Sequence, residues 1–246
     1  SKVIPAQSNI VKPKQNPEII LQLYESNWGD LLPNQKNFIA KNLSGKDFSN
    51  SSLENEIFFG SDLRNANFEN SIISGSDFSL ANLENANFKN AIIDGIKLRQ
   101  TTLEQTDFSN VDFRQVNLLN VDFTNTILKN SNLSNKDLTK TFLYKADLSG
   151  ADLSYSDLSI MYLKDTVLDN TNLTGTILYE ADLSLTLDTH LPGTVLISST
   201  LTWANLANVD FSGKNLSGVN FKGSDLTGQN FTNDVSFFGN NFKGTE

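Results

Sequence analysis

Carboxylates are the side chains in this sequence whose number and spacing could support chemistry. Asp152 and Asp157 lie five residues apart, and similar pairs recur along the chain. Two neighbouring carboxyl groups can serve as general acid and general base when burial or a nearby charge separates their pKa values. These pairs come from a repeat that places Asp on a solvated wall, where nothing provides that separation. We therefore expect no acid–base catalysis from them.

Nucleophilic and metal chemistry have fewer candidates still. The 246 residues include no Cys, one Met and one His, which is His190. A triad that uses His would depend on His190, and no neighbouring residues complete one. Nucleotide-binding, hydrolase and metalloprotease motifs are also missing. The sequence predicts a protein that is not an enzyme and that uses no cofactor, no metal and no small-molecule substrate.

A five-residue repeat positions the polar side chains. Each unit has a small residue, Asp or Asn, then Leu or Phe, then two mostly polar residues. Its central apolar residue recurs at every fifth position from Phe38 to Leu183 and from Leu191 to Phe231. Neither a helix nor a straight strand places every fifth residue on one face. The chain must therefore turn once in every repeat, and stacked coils form a solenoid.

The Phe residues indicate the number of sides in a coil. Near the start, Phe and a smaller residue alternate at the central position, so a period of ten overlies the period of five. This alternation stays in fixed columns only if a coil has an even number of sides, and four sides fit a narrow core in which large residues meet small ones. The predicted columns are Phe48, Phe68, Phe88 and Phe108 on one side and Phe38, Phe58 and Phe78 on the opposite side, with Phe211, Phe221 and Phe231 returning to them if the break after Leu183 is an outward loop.

These repeats resemble those of the pentapeptide-repeat proteins. The resemblance rests on units such as Ala81-Asn82-Leu83, Ala146-Asp147-Leu148 and Ala181-Asp182-Leu183, and it covers residues 36 to 242. It implies an all-β solenoid, a right-handed quadrilateral β-helix of about ten coils. The predicted β-helix occupies residues 36–246, with a loop interruption at 184–193.

Residues 1–35 are predicted to form an arm and a capping helix. Asn16 can cap a short α-helix that begins at Pro17 and ends near Ser26. Cyanobacterial members of the family resemble this arrangement. We expect the helix to cover the first coil, because an open edge leaves backbone groups unpaired.

The net charge of -9 bears on the partner. Direct binding to nucleic acid is not expected at this charge. Some pentapeptide-repeat proteins resemble a DNA duplex and bind type II topoisomerases such as DNA gyrase. A rod of ten coils would be about 48 Å long, and duplex DNA of that length carries about 28 negative charges. The net charge of this chain is about threefold smaller than that.

We therefore predict a non-catalytic scaffold or regulatory module that binds an unidentified protein, with DNA mimicry as the alternative.

Outward aromatic residues are the predicted contacts with that partner. Phe142, Tyr144 and Tyr162 fall on one predicted face. They form either a binding surface or a ladder that only stabilises neighbouring coils. His190, in the loop close to this face, is either a further contact or part of a tolerated insertion. Lys136 takes an inward position that usually holds a small residue, and we expect its side chain to extend outward.

The end of the chain leaves two possibilities open. Phe237, Phe238 and Phe242 either plug the last coil, which gives a monomer, or leave an edge that pairs with a second copy in a two-fold dimer.

No apolar run is long enough to span a membrane and no secretory signal is visible, so a cytoplasmic location is expected. The thylakoid lumen or the periplasm is the alternative if a signal was removed.

Overall fold

The computed structural model describes residues 37–163, 165–183, 194–207, 209–229, 231 and 239–245. Their backbone forms parallel β-bridges of one residue each, with no longer strand and no helix. None of these residues therefore belongs to a helix that could cross a membrane. The predicted arm and capping helix at 1–35 and the loop at 184–193 with His190 lie outside the described residues and stay predictions.

Each bridge joins a residue to one in the next coil. Asn37 pairs with Ile57, which lies 20 positions further on, and three more bridges start between them. One coil therefore has four sides. We name the sides A, B, C and D after the bridges that start at Asn37, Asn42, Asp47 and Ser52.

A tight turn links each side to the next. The N–H of Ser156 donates to the carbonyl of Leu153 at 3.1 Å. Between them Tyr155 has a φ of 59°, as the third residue of a type II turn does. The carboxylate of Asp152 accepts a hydrogen bond from the N–H of Ser154 at 3.0 Å. This local bond explains why Asp or Asn recurs immediately before the central residue.

The central residues fill the interior as stacked columns. On side A the rings of Phe58 and Phe78 lie 4.7 Å apart and nearly parallel. On side C the rings of Phe68 and Phe88 have the same separation of 4.7 Å. Phe58 and Phe68 meet edge to face across the core at 5.7 Å. These are the geometries that aromatic rings prefer when they pack together.

The coils after residue 194 keep the same columns in a shifted register. Asn172 pairs with the residue 23 positions further on, so three extra residues enter the chain between them. Phe211 and Phe231 stack at 5.7 Å on side C. Phe221 and Phe242 stack at 5.2 Å on side A. Phe242 thus continues the column of central residues on side A. Phe237 and Phe238 lie outside the described residues.

The stack is irregular around Asn117, which forms no bridge. Nearby, the N–H of Gly95 donates to a carbonyl 20 positions further on, whereas Gly75 donates to one 19 positions on. Phe113 and Phe123 enter sides D and B here, where earlier coils have Leu or Ile, and their rings lie 5.5 Å apart. Extra volume in a close-packed core displaces the backbone around it.

Lys136 lies in this irregular part, and the prediction that it extends outward is wrong. Its ammonium group donates to the carbonyl of Val116 in the preceding coil at 2.7 Å, and burial lowers its pKa. In a regular coil that carbonyl accepts from a backbone N–H 21 positions later, as the carbonyl of Lys136 does from Asp157. The lysine therefore replaces a backbone donor, because an acceptor lies within reach of its inward position.

Candidate functional site

Phe142, Tyr144 and Tyr162, which we call the aromatic patch, lie on side B and at the turn that ends it. Phe142 and Tyr162 occupy the outward position of side B in consecutive coils, and Phe142 is 40% exposed. The rings of Tyr144 and Tyr162 lie 5.9 Å apart at an angle of 33°. The structure therefore brings these three sequence-predicted residues together on one surface.

Polar contacts hold Tyr144 in place. Its hydroxyl donates to the carboxylate of Asp165 at 3.3 Å. The ammonium of Lys145 lies 5.1 Å from the centre of the Tyr144 ring, within the range of a cation–π contact. These contacts at the hydroxyl and over the ring reduce the conformational freedom that a partner would have to remove on binding.

A second exposed apolar surface lies at the corner between sides A and B. We call it the corner patch, and it consists of Ile160, Ile177, Tyr179, Glu180 and Trp203. Ile160 is 69% exposed and Trp203 is 52% exposed. The five-residue pattern did not predict this surface, although the sequence carries a signal for it. Ile160 and Trp203 occupy turn positions at which Asn or Gly is usual.

Ile160, Glu180 and Trp203 occupy the same corner in three successive coils. The N–H of Ile160 donates to the carbonyl of Tyr179 at 2.8 Å, and the N–H of Glu180 donates to the carbonyl that precedes Trp203 at 3.0 Å. The indole of Trp203 lies over Gly223, where an added Cβ would be 2.4 Å from the ring. Gly223 therefore provides the space in which the indole packs against the next coil.

Ile160 adopts a backbone conformation that β-branched residues avoid. Its φ is 63°, in the left-handed region, where a β-branched residue costs about 1–3 kcal/mol. Strain of this kind concentrates at functional sites. A positive φ is the rule at this position of the turn, which Asn or Gly usually fills, so the unusual feature of Ile160 is its exposed, β-branched side chain.

The outward carboxylates serve the turns and ion pairs. Hydrogen bonds from Thr139 hold the pKa of Asp137 below its usual value. Lys or Arg pairs with Asp62, Asp77, Asp107, Asp112 and Asp147. A lowered pKa suits a charged acceptor and not a general acid. Within the described residues, no group of three His, Cys, Asp or Glu residues is placed to hold a metal.

The family of the chain follows from its repeats. The family model for pentapeptide repeats matches the chain with 8 copies, and the matched segments, which span more than half of the chain, are 61–100, 92–130, 126–159, 161–186 and 199–233. The chain belongs to the pentapeptide-repeat family. Pentapeptide-repeat proteins fold as right-handed quadrilateral β-helices, and the four-sided coil of this chain has that form. Proteins of this family are generally non-enzymatic structural or binding proteins.

Several solved structures of pentapeptide-repeat proteins are similar to this chain. Full-length QnrB1, a plasmid-mediated fluoroquinolone resistance protein, is 19% identical with a TM-score of 0.45, and the match covers 81% of this chain and 92% of QnrB1. HetL, involved in heterocyst differentiation regulation in the cyanobacterium Nostoc sp. strain PCC 7120, is 23% identical with a TM-score of 0.29, over 94% of each chain. A protein of the Arabidopsis thaliana thylakoid lumen is 22% identical with a TM-score of 0.22, over 69% of this chain and 68% of its own. No curated protein sequence matches the chain.

Proposed function

We propose that this pentapeptide-repeat protein is a non-catalytic rod that binds a protein partner through the aromatic patch. One observation carries the proposal, namely the change in where aromatic side chains lie along the rod. The described aromatic residues up to Phe123 are all Phe, and they pack in the interior or in buried clusters. From Leu128 to Leu206 every central residue is Leu. In that part six aromatic side chains stand at outward or turn positions, and they are Phe142, Tyr144, Tyr155, Tyr162, Tyr179 and Trp203.

Aromatic side chains outside a core are typical of protein interfaces. Tyr, Trp and Phe are enriched there because one rigid ring buries much apolar area at low entropic cost. A ladder that only joins coils would cover its members, whereas Phe142 stays 40% exposed. The rigid stack also presents the patch without a folding step on binding.

Affinity capture from the source organism tests the proposal. We expect the unchanged protein to retain a partner that the double variant Phe142→Ser/Tyr162→Ser loses. The matched control is Ile72→Ser/Ile92→Ser, which removes the exposed apolar pair on side D and should keep the partner. Circular dichroism and thermal melting establish that both variants stay folded. Equal retention by the aromatic-patch variant would refute the proposal.

DNA mimicry is the second class of function, and the charges do not favour it. Five of the outward Asp residues are ion-paired, and on side D the outward column includes Ile72 and Ile92. A mimic of the phosphate backbone needs an uninterrupted negative surface. In a gyrase supercoiling assay at low micromolar protein we expect neither inhibition nor protection from a quinolone. Either effect would support the mimic instead.

The oligomeric state and the location stay predictions. Sedimentation distinguishes the monomer from a two-fold dimer through the last coil. Fractionation of the source cells tests the predicted cytoplasmic location against the thylakoid lumen and the periplasm.

A further inference from the structure

We infer that the corner patch binds an arginine side chain in a basic, partly apolar segment of the protein partner. The inference rests on the proposed function, and it adds the chemistry of the partner. The features that carry it are an exposed carboxylate at a corner that also holds apolar side chains, the charges around that carboxylate and the exposed indole of Trp203.

Glu180 is the centre of the corner patch. Ile160 lies at the same corner one coil before it, and Trp203 lies there one coil after it. Tyr179 precedes Glu180 in the chain and is exposed. A carboxylate with an indole on one side and a phenol next to it offers a cation both an ion pair and an aromatic face.

Acidic residues lie beside the middle of the corner patch, on both sides A and B. Asp157 lies one coil before Ile177 in the outward column of side A. Asp182 lies one coil after Tyr162 in the outward column of side B. Among the described residues, the basic residues at outward and turn positions of these two sides that lie nearest to the patch are Lys140, Lys145 and Lys222, which stand towards its two ends. A cationic segment therefore fits the middle of the patch by charge complementarity.

Arginine fits the patch better than lysine. A guanidinium group is planar, so it can stack on the Trp203 indole while its edge pairs with the Glu180 carboxylate. An ammonium group is more strongly hydrated and presents no flat face. Ile160 and Ile177 provide apolar surface for residues that flank the arginine. A second copy of this chain is a poorer occupant, because its net charge of -9 repels an acidic patch.

Peptide binding to the full chain tests the inference. Three fluorescein-labelled peptides share one sequence of Leu, Ser and Gly around a central pair of Arg, Lys or Gln residues. Fluorescence anisotropy measures their affinities at low and at high salt. We expect the Arg peptide to bind most tightly and to weaken as salt rises. Glu180→Gln and Trp203→Ser should each weaken it by about tenfold or more, while the control Tyr155→Ser, which removes an exposed aromatic at another corner, should not.

Several results would overturn the inference. Equal binding of the Arg and Gln peptides, no binding of any peptide, or full affinity in Glu180→Gln would each do so. A dimer in sedimentation that Trp203→Ser dissociates would assign the patch to a second copy. If Phe142→Ser/Tyr162→Ser loses the captured partner while Glu180→Gln leaves peptide binding unchanged, the proposed function stands and this inference fails.

Discussion

Two corners of the rod carry similar apolar pairs in the same columns, and only one of them buries its pair. Ile57 and Phe59, near the N-terminal end, are 4% and 0% exposed. Ile177 and Tyr179 follow six coils later in the same columns and are 42% and 38% exposed. The coil geometry is the same at both corners, so the difference comes from the surroundings of each pair.

The neighbouring positions explain part of the difference. At the first corner Ile39 joins the pair in a small cluster outside the main core, and Ala40 and Leu80 pack against that cluster. At the second corner the position of Ile39 holds Ser159, and the position of Gly60 holds Glu180. An apolar neighbour is thus lost and a charge is gained at the second corner.

The comparison teaches that a repeat fixes where a side chain points but not whether it is covered. Burying Glu180 without a partner would cost several kcal/mol, since a buried charge must be paired. The charge therefore keeps the second corner open to water. A ligand that closes that corner must therefore supply a cation or hydrogen-bond donors to the carboxylate.

The largest expected difference between the corners is in stability. Phe59→Ala should lower the free energy of unfolding by about 3–5 kcal/mol, because it empties a fully buried site. Tyr179→Ala, at the equivalent exposed position, should change it by less than about 0.5 kcal/mol. Urea denaturation measures both values, provided that the dependence of the free energy of unfolding on urea concentration is the same in the variants. Similar losses at the two corners would show that Tyr179 is as well packed as Phe59.

Relief of backbone strain is the next effect in size. Ile160→Asn should raise the free energy of unfolding by about 1–2 kcal/mol, because Asn tolerates the left-handed conformation. The reciprocal variant Asn170→Ile, at a corner residue with a φ of 57°, should lower it by a similar amount. Thermal melting of both variants gives the comparison. A stability loss in Ile160→Asn would mean that the Ile160 side chain supports the fold and is not held ready for a partner.

The repeating part of the fold could be predicted from sequence because its cause is local. A central residue at every fifth position requires a turn in each repeat, and the alternation of Phe predicts four sides. The same register places Phe142 and Tyr162 in one outward column before any coordinates are known. In the structure the closest rings of the patch are those of Tyr144 and Tyr162, whose centres lie 5.9 Å apart.

The features that sequence reasoning missed depend on neighbours in other coils. Lys136 turns towards the preceding coil because the carbonyl of Val116 lies within reach, and a period-based argument does not evaluate that contact. In the corner patch, Ile160 and Trp203 occupy the same corner although three extra residues enter the chain between them. Both stand at turn positions that are polar in most repeats. Both features appear only when residues a full coil apart are compared.

The coils between the two corners offer a smaller test. Lys136→Thr should raise the free energy of unfolding by about 1 kcal/mol, the contribution of one additional hydrogen bond. Thr at other inward positions donates to a carbonyl of the preceding coil, as Thr106 does to Leu83 at 2.8 Å. Without the ammonium, the carbonyl of Val116 can accept from the N–H of Asp137. Slower hydrogen exchange at Asp137 would report the new bond, and unchanged exchange there would contradict this account.

The smallest expected effect concerns Glu180, the residue that most distinguishes the second corner. Its carboxylate accepts a hydrogen bond from Tyr179 and raises the pKa of that phenol above its usual value of 10.0. Because the folded-state pKa is raised, the resulting stability is present below the unfolded pKa and is lost as pH rises through the folded one. Glu180→Gln should therefore lower the Tyr179 pKa and flatten the alkaline loss of stability. A carbon-13 titration of the tyrosine ring carbons measures the change in the Tyr179 pKa. An unchanged Tyr179 pKa in Glu180→Gln would show that the Glu180 carboxylate does not interact with the phenol.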